Sequence, residues 1–228
     1  MDFPGLPARL AAVRETVARS QAAGGWQHPV RIVAVTKTHG PEAVRVAVAA
    51  GLQAVGENRV QEALQKQEAL RDLTVEWHLI GTLQRNKARN VMGRFALIHS
   101  IDRVDLGAEL DRRVTDVAPQ RVLVQVNCSA EPQKGGVSPE SLPAMLDELR
   151  RFERLEVRGL MTMSALTDDS AEQRRAFRLL RELRDAGERA GHRLPELSMG
   201  MSGDYPVAVE EGATMIRLGT VLFGERSS

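Results

Sequence analysis

Apolar residues along this chain follow two alternating rhythms. Short runs rich in aliphatic and β-branched residues stand at 31–36, 53–57, 76–81, 96–101, 121–127, 157–162, 196–201 and 214–218. Their length and composition are those of strands buried on both faces. Between them the spacing becomes helical. Leu142, Met145, Leu146 and Leu149 share one helical face behind Ser138 as a cap and Pro139 in the first turn. Ala176, Leu180, Leu183 and Ala190 draw an apolar stripe on an Arg- and Glu-rich segment, and Ser170 with Gln173 reads as its capping box.

Eight strands alternating with helices predict an α/β fold: a single (β/α)8 TIM-type barrel domain over residues 1–228. Parallel strands joined by crossovers need helices on the outer face of the sheet. An open doubly wound sheet is the other arrangement with this order of elements. Too few residues follow Leu218 for an eighth helix of ordinary length, whereas Leu6, Leu10, Val13 and Val17 mark an amphipathic helix ahead of the first strand. That additional N-terminal helix is the element expected to cover the gap.

Composition narrows the function classes. Hydrophobic residues at 43% and charged residues at 27% exclude collagen-like and low-complexity chains. Thirty-one Lys and Arg against 30 Asp and Glu leave a net charge of +1, with no overall pull toward nucleic acid or acidic membranes. Cys128, the single cysteine, has no partner for an intramolecular disulfide, and the start Met-Asp-Phe-Pro lacks the features of a secretion signal. Arg45 and Gln125 interrupt the most apolar stretches, well short of the ~18 residues of a membrane span. The expectation is a cytoplasmic protein with neither nucleic acid nor membrane as partner.

In such barrels the chemistry gathers at the C-terminal ends of the strands. The first strand runs into Lys37, which alternation places on the face of Val33 and Val35. If those valines fill the barrel, the amine points inward, where desolvation would make it a nucleophile toward aldehydes. A strand-end lysine leaning out to solvent is the alternative. Strands seven and eight run into Met201-Ser202-Gly203, ahead of a short helix near Asp204 and Pro206, and into Gly219-Thr220. Loops after these two strands often build phosphate sites, with backbone amides, a helix N-terminus and hydroxyls as donors. The same dipeptides are also ordinary turn signals. Arg217, among apolar neighbours, needs either a carboxylate such as Glu57 or a ligand atom inside the barrel. An amine for an aldehyde, an amide nest for a phosphate and a fixed cation between them describe a pocket for pyridoxal 5'-phosphate.

Other candidates carry less. His39, His78 and His99 lie near strands one, three and four without carboxylates at ligand spacing, so no metal site is expected. Cys128 has no base nearby in sequence, and Arg85, Lys87, Arg89 and Arg94 read as the solvated face of a helix.

These residues lie in longer motifs: 33–38 (VAVTKT), 56–62 (GENRVQE), 77–87 (WHLIGTLQRNK), 131–136 (EPQKGG), 159–161 (GLM), 197–202 (LSMGMS) and 217–220 (RLGT) with Phe223-Gly224. Together they resemble the pyridoxal phosphate homeostasis proteins, single-domain relatives of the alanine racemase N-terminal barrel. The resemblance implies that Lys37 carries the cofactor as a Schiff base and that Arg217 faces the pyridine nitrogen. It implies that Ser202, Gly219 and Thr220 hold the phosphate, and that Asn58 and Met199 line the pocket. The implied role is storage and delivery of the cofactor without significant turnover, with no catalytic residue, with pyridoxal-phosphate-dependent apoenzymes as recipients, and as a monomer. Thr82, His39 and Gly203 depart from the family pattern at the barrel mouth. The alternative is an amino-acid racemase, but racemases take a second acid or base from a tyrosine on an additional domain. Here the only tyrosine is Tyr205.

Overall fold

In a computed structural model of the chain, which describes residues 3–113, 118–129, 131 and 134–224, each of the eight apolar runs holds a strand. These are β1 (Arg31–Val35), β2 (Ala54–Glu57), β3 (Glu76–Leu79), β4 (Leu97–Ile101), β5 (Gln120–Gln125), β6 (Leu155–Met161), β7 (Glu196–Ser198) and β8 (Met215–Leu218). Each pairs in parallel with the next, and β8 closes on β1 with Val33 opposite Arg217. The open-sheet arrangement is thereby excluded. Pro132 and Gln133 of the 131–136 motif lie outside the described residues.

Alternation sorts side chains between two cores. Val33, Ala54, Leu97, Leu123, Met161 and Met215 fill the barrel, while Ala34, Leu79, Ile98, Leu160, Leu197 and Ile216 pack outward on the helices. Except for β6, which starts earlier at Leu155, the strands are shorter than the apolar runs, and the last residues of several runs leave the ladder and turn over the mouth. Gly81 shows why glycine stands at one of these turns: a Cβ there would lie 2.2 Å from the carbonyl oxygen of Asn58.

The helices are α1 (Leu6–Gly24), α2 (Pro41–Ala49), α3 (Val60–Ala69), α4 (Val104–Arg113), α5 (Leu142–Leu149), α6 (Ser170–Arg189), α7 (Tyr205–Glu210) and α8 (Thr220–Phe223). With α8 limited to four residues, α1 fills the space beside it. Arg9 Nε donates to the carbonyl of Leu222 at 2.6 Å, and Trp26 Nε1 to that of Glu210 at 2.8 Å. Three local expectations shift. Asp169, not Ser170, caps α6, accepting the amides of Ala171 and Glu172, and Gln173 turns inward to donate to the carbonyl of Thr167 at 2.7 Å. Ser138 caps a 3-10 turn, Pro139–Ser141, that leads into α5. The basic stretch at Arg85–Asn90 is a 3-10 helix whose Arg85 lies 3.5 Å from Glu109. Among the described residues no helix is long and apolar enough to cross a membrane.

Candidate functional site

A cavity of about 400 Å³ opens at the C-terminal mouth of the barrel, lined by Lys37, Asn58, Thr82, Ser202, Arg217, Gly219 and Thr220 among others. Six of the seven residues expected at the site therefore meet in one place. Met199 does not line it. Ser198 of β7 points into the barrel, so alternation turns Leu197 and Met199 outward, and Met199 is fully buried in the core under the helices.

Lys37 reaches the cavity from the turn after β1, not from the strand itself. It is exposed rather than buried, and among the described residues its ammonium has no hydrogen-bond or ion-pair partner.

Arg217 is the buried cation of the site, 4% exposed. Its Nη1 donates to Ser198 Oγ at 2.7 Å and its Nη2 to the carbonyl of Thr162 at 2.9 Å. Glu57, the carboxylate proposed for it from sequence, faces the other way and pairs with Lys66 at 2.6 Å. Burial lowers the guanidinium to about 10, against the opposing pull of Asp204. It remains charged at neutral pH, and a guanidinium with five N–H groups keeps donors in hand for a ligand.

Behind Arg217 runs a polar chain inside the barrel. Ser198 Oγ lies 2.9 Å from His99 Nδ1, and His99 Nε2 lies 2.9 Å from His78 Nδ1. Burial, assisted by Arg31, holds His78 at about 3, and burial with His78 and Arg217 holds His99 well below its ordinary value. Both rings are neutral. Because the Ser198 oxygen accepts from a cation, its own proton is best directed to His99 Nδ1, which assigns the Nε2–H tautomer to His99. The sequence pattern assigned no role to Ser198 and set His78 and His99 aside as isolated histidines. The available signal was a polar residue on the inward face of an otherwise apolar run, which burial makes costly unless it is partnered.

The anion side of the cavity is built from backbone. The amides of Gly219 and Val221, at the start of α8, both donate to Ser202 Oγ at 3.3 Å. Asp204 closes the preceding turn by accepting the Met201 amide at 2.5 Å and the hydroxyl of Ser164. Converging amides, a serine hydroxyl and the exposed Thr220 form a cradle of donors suited to a phosphate. This set of donors fits pyridoxal phosphate: an amine for the aldehyde, a charged donor for the ring nitrogen and a nest for the phosphate.

The remaining candidates lie elsewhere. Tyr205 is buried in the core, and His39 packs against the rings of Phe3 and Phe223. Burial pushes the Cys128 thiol up to about 11. Among the described residues no three His, Cys, Asp or Glu side chains gather as a metal site.

Comparison with known proteins shows the family. Residues 9–227 match the family of the alanine racemase N-terminal domain. The chain is similar to the pyridoxal phosphate homeostasis protein of Aquifex aeolicus, 45% identical over 96% of this chain and 97% of that one. It is similar to the protein of that name from Pseudomonas aeruginosa, 44% identical over 96% and 94%. Among solved structures it resembles PipY of Synechococcus elongatus with PLP bound, at a TM-score of 0.84 and 40% identity, covering 96% of this chain and all of that one.

Proposed function

Since this chain belongs to the alanine racemase N-terminal domain family, and within it to the pyridoxal phosphate homeostasis proteins, we propose that it binds pyridoxal 5'-phosphate and serves to store and deliver that cofactor. The observation that carries the reading is that the Lys37 amine, the buried Arg217 and the Ser202 cradle open into one cavity. When bound, the cofactor supplies an aldehyde carbon, and Lys37 Nζ is the amine placed to form a Schiff base with it. Ser202, Gly219 and Thr220 hold the phosphate through hydroxyl and amide donors, and Asn58 lines the cavity on the β2 side of Lys37. Met199 takes part only from behind, by packing under β7.

Arg217 donates to the pyridine nitrogen and keeps that atom an acceptor, because a guanidinium does not give up its proton at neutral pH. A ring left unprotonated withdraws electrons poorly. With Tyr205 in the core, no tyrosine stands ready as a second acid or base, so the reading is a carrier without significant turnover rather than a racemase. We place it in the cytoplasm as a single-domain monomer that passes cofactor to pyridoxal-phosphate-dependent apoenzymes.

The test is the visible spectrum of the purified protein before and after borohydride reduction, with mass spectrometry to locate the adduct. A reducible band and a pyridoxyl group on Lys37, both lost in Lys37→Ala, are expected. An adduct found chiefly on Lys87 or Lys134 in the wild type would refute the assignment.

A further inference from the structure

The 56–62 motif carries two glutamates that the cavity does not use. Alternation along β2 sends Asn58 to the mouth and Glu57 to the outer face, where it is fully buried. One helical turn apart on α3, Glu62 and Lys66 face the same spot, and Lys66 is 4% exposed. Its ammonium donates to Glu57 Oε1 at 2.6 Å, to Glu62 Oε1 at 2.9 Å and to the carbonyl of Thr36 at 2.8 Å. Those three bonds use all its protons.

The same carboxylates reach the turn that carries Lys37. The Thr36 hydroxyl donates to Glu57 Oε1 at 2.5 Å, and the Thr38 amide donates to Glu62 Oε1 at 2.8 Å. The turn is closed by the His39 amide on the Thr36 carbonyl at 3.1 Å. Thr38 has a φ of +67°, and among the described residues it is the one non-glycine with a positive φ. A β-branched residue rarely adopts that conformation unaided. Both neighbours of Lys37 are thus tied by directed bonds to one buried charged cluster, and the conformation between them is one the turn would not choose alone.

We propose that Glu57, Glu62 and Lys66 are positioning residues that fix the Thr36–Thr38 turn so that the Lys37 amine is presented to the aldehyde of its ligand. The inference rests on the covalent reading of Lys37 given above. An apolar cluster of equal volume would fill the space but would not hold a carbonyl, a hydroxyl and an amide at set positions.

The experiment compares two ligands on the full chain. Pyridoxal 5'-phosphate carries the aldehyde; pyridoxine 5'-phosphate has an alcohol in its place and reports only the phosphate and ring contacts. Lys66→Met is expected to weaken pyridoxal phosphate binding about tenfold while leaving pyridoxine phosphate within about twofold. Glu62 is half-buried, so Glu62→Ala tests the same link without emptying the core. It is expected to weaken only the aldehyde ligand, and Glu62→Gln, which keeps an acceptor for the Thr38 amide, to restore most of the loss. Parallel loss of both ligands, or no loss of either, would overturn the positioning role. Lys37→Ala separates the two readings: if it leaves pyridoxal phosphate affinity unchanged, the covalent reading fails and this inference falls with it. If it weakens that affinity while Lys66→Met and Glu62→Ala do not, only the positioning role fails.

Discussion

Arg217 and Ser198 meet inside the barrel at 2.7 Å, a buried cation donating to a hydroxyl where a carboxylate partner would be usual. The arrangement orients the guanidinium without neutralising it, so its charge stays available to a ligand. Removing the hydroxyl leaves a charged donor and His99 Nδ1 without that partner. Ser198→Ala is expected to destabilise the fold by about 1.5–3 kcal/mol, the range for hydrogen bonds to charged groups. Urea unfolding measures it, and a loss below about 0.5 kcal/mol would mean that the Arg217–Ser198 bond contributes little.

The phosphate cradle predicts a loss confined to phosphorylated ligands. Replacing Ser202 and Thr220 together by Ala should cost about 1.5–3 kcal/mol for each charge-assisted contact removed. Pyridoxal, which lacks the phosphate, should bind wild type and double variant equally poorly. Wild-type affinity for pyridoxal phosphate in the double variant would place the phosphate elsewhere.

Turnover should be negligible. In deuterium oxide with saturating cofactor, L-alanine should keep its α-proton and its chirality, because the proposed Arg217 contact would leave the ring a weak electron sink and Tyr205 lies in the core. Racemisation at the ~1–1000 per second typical of enzymes, abolished by Lys37→Ala, would establish the racemase instead.

His78 and His99 make stability depend on pH. Their folded pKa values lie below the ordinary 6.5, at about 3 for His78 and well down for His99. Below 6.5 the unfolded chain therefore binds protons that the folded chain refuses, and stability falls as pH drops from 6.5 toward 3. The limiting slope is about 1.4 kcal/mol per pH unit for each histidine. Glu57, whose pKa burial raises, works in the opposite sense, so the informative quantity is the difference between wild type and His99→Gln. Urea unfolding from about pH 7 to pH 5 should show a shallower decline in the variant; equal slopes would mean that His99 is protonated in the folded state.

Much of this architecture was legible because it is set by local pattern. Period-two and period-3.6 runs name strands and helices without knowledge of what they touch, and eight alternations leave few folds. The spacing of Leu6, Leu10, Val13 and Val17 likewise marked α1 ahead of β1. Lys37, Ser202, Gly219 and Thr220 stood out because strand ends near a barrel mouth are where ligands meet the chain, and Arg217 because a charge in an apolar run needs a partner. Which partner it takes is a different kind of question. Ser198 and Thr162 reach Arg217, and Lys66 takes Glu57, only because the barrel closes in a particular register and brings together residues from β2, α3, the end of β6, β7 and β8. The outward face of Met199 and the exposure of Lys37 depend likewise on where β7 and β1 leave the ladder. Sequence determined the elements, their order and the chemical groups at their ends. Tertiary structure alone decided the pairings, since a buried charge is satisfied by whatever closure places within 3 Å of it, and no periodicity along the chain encodes that distance.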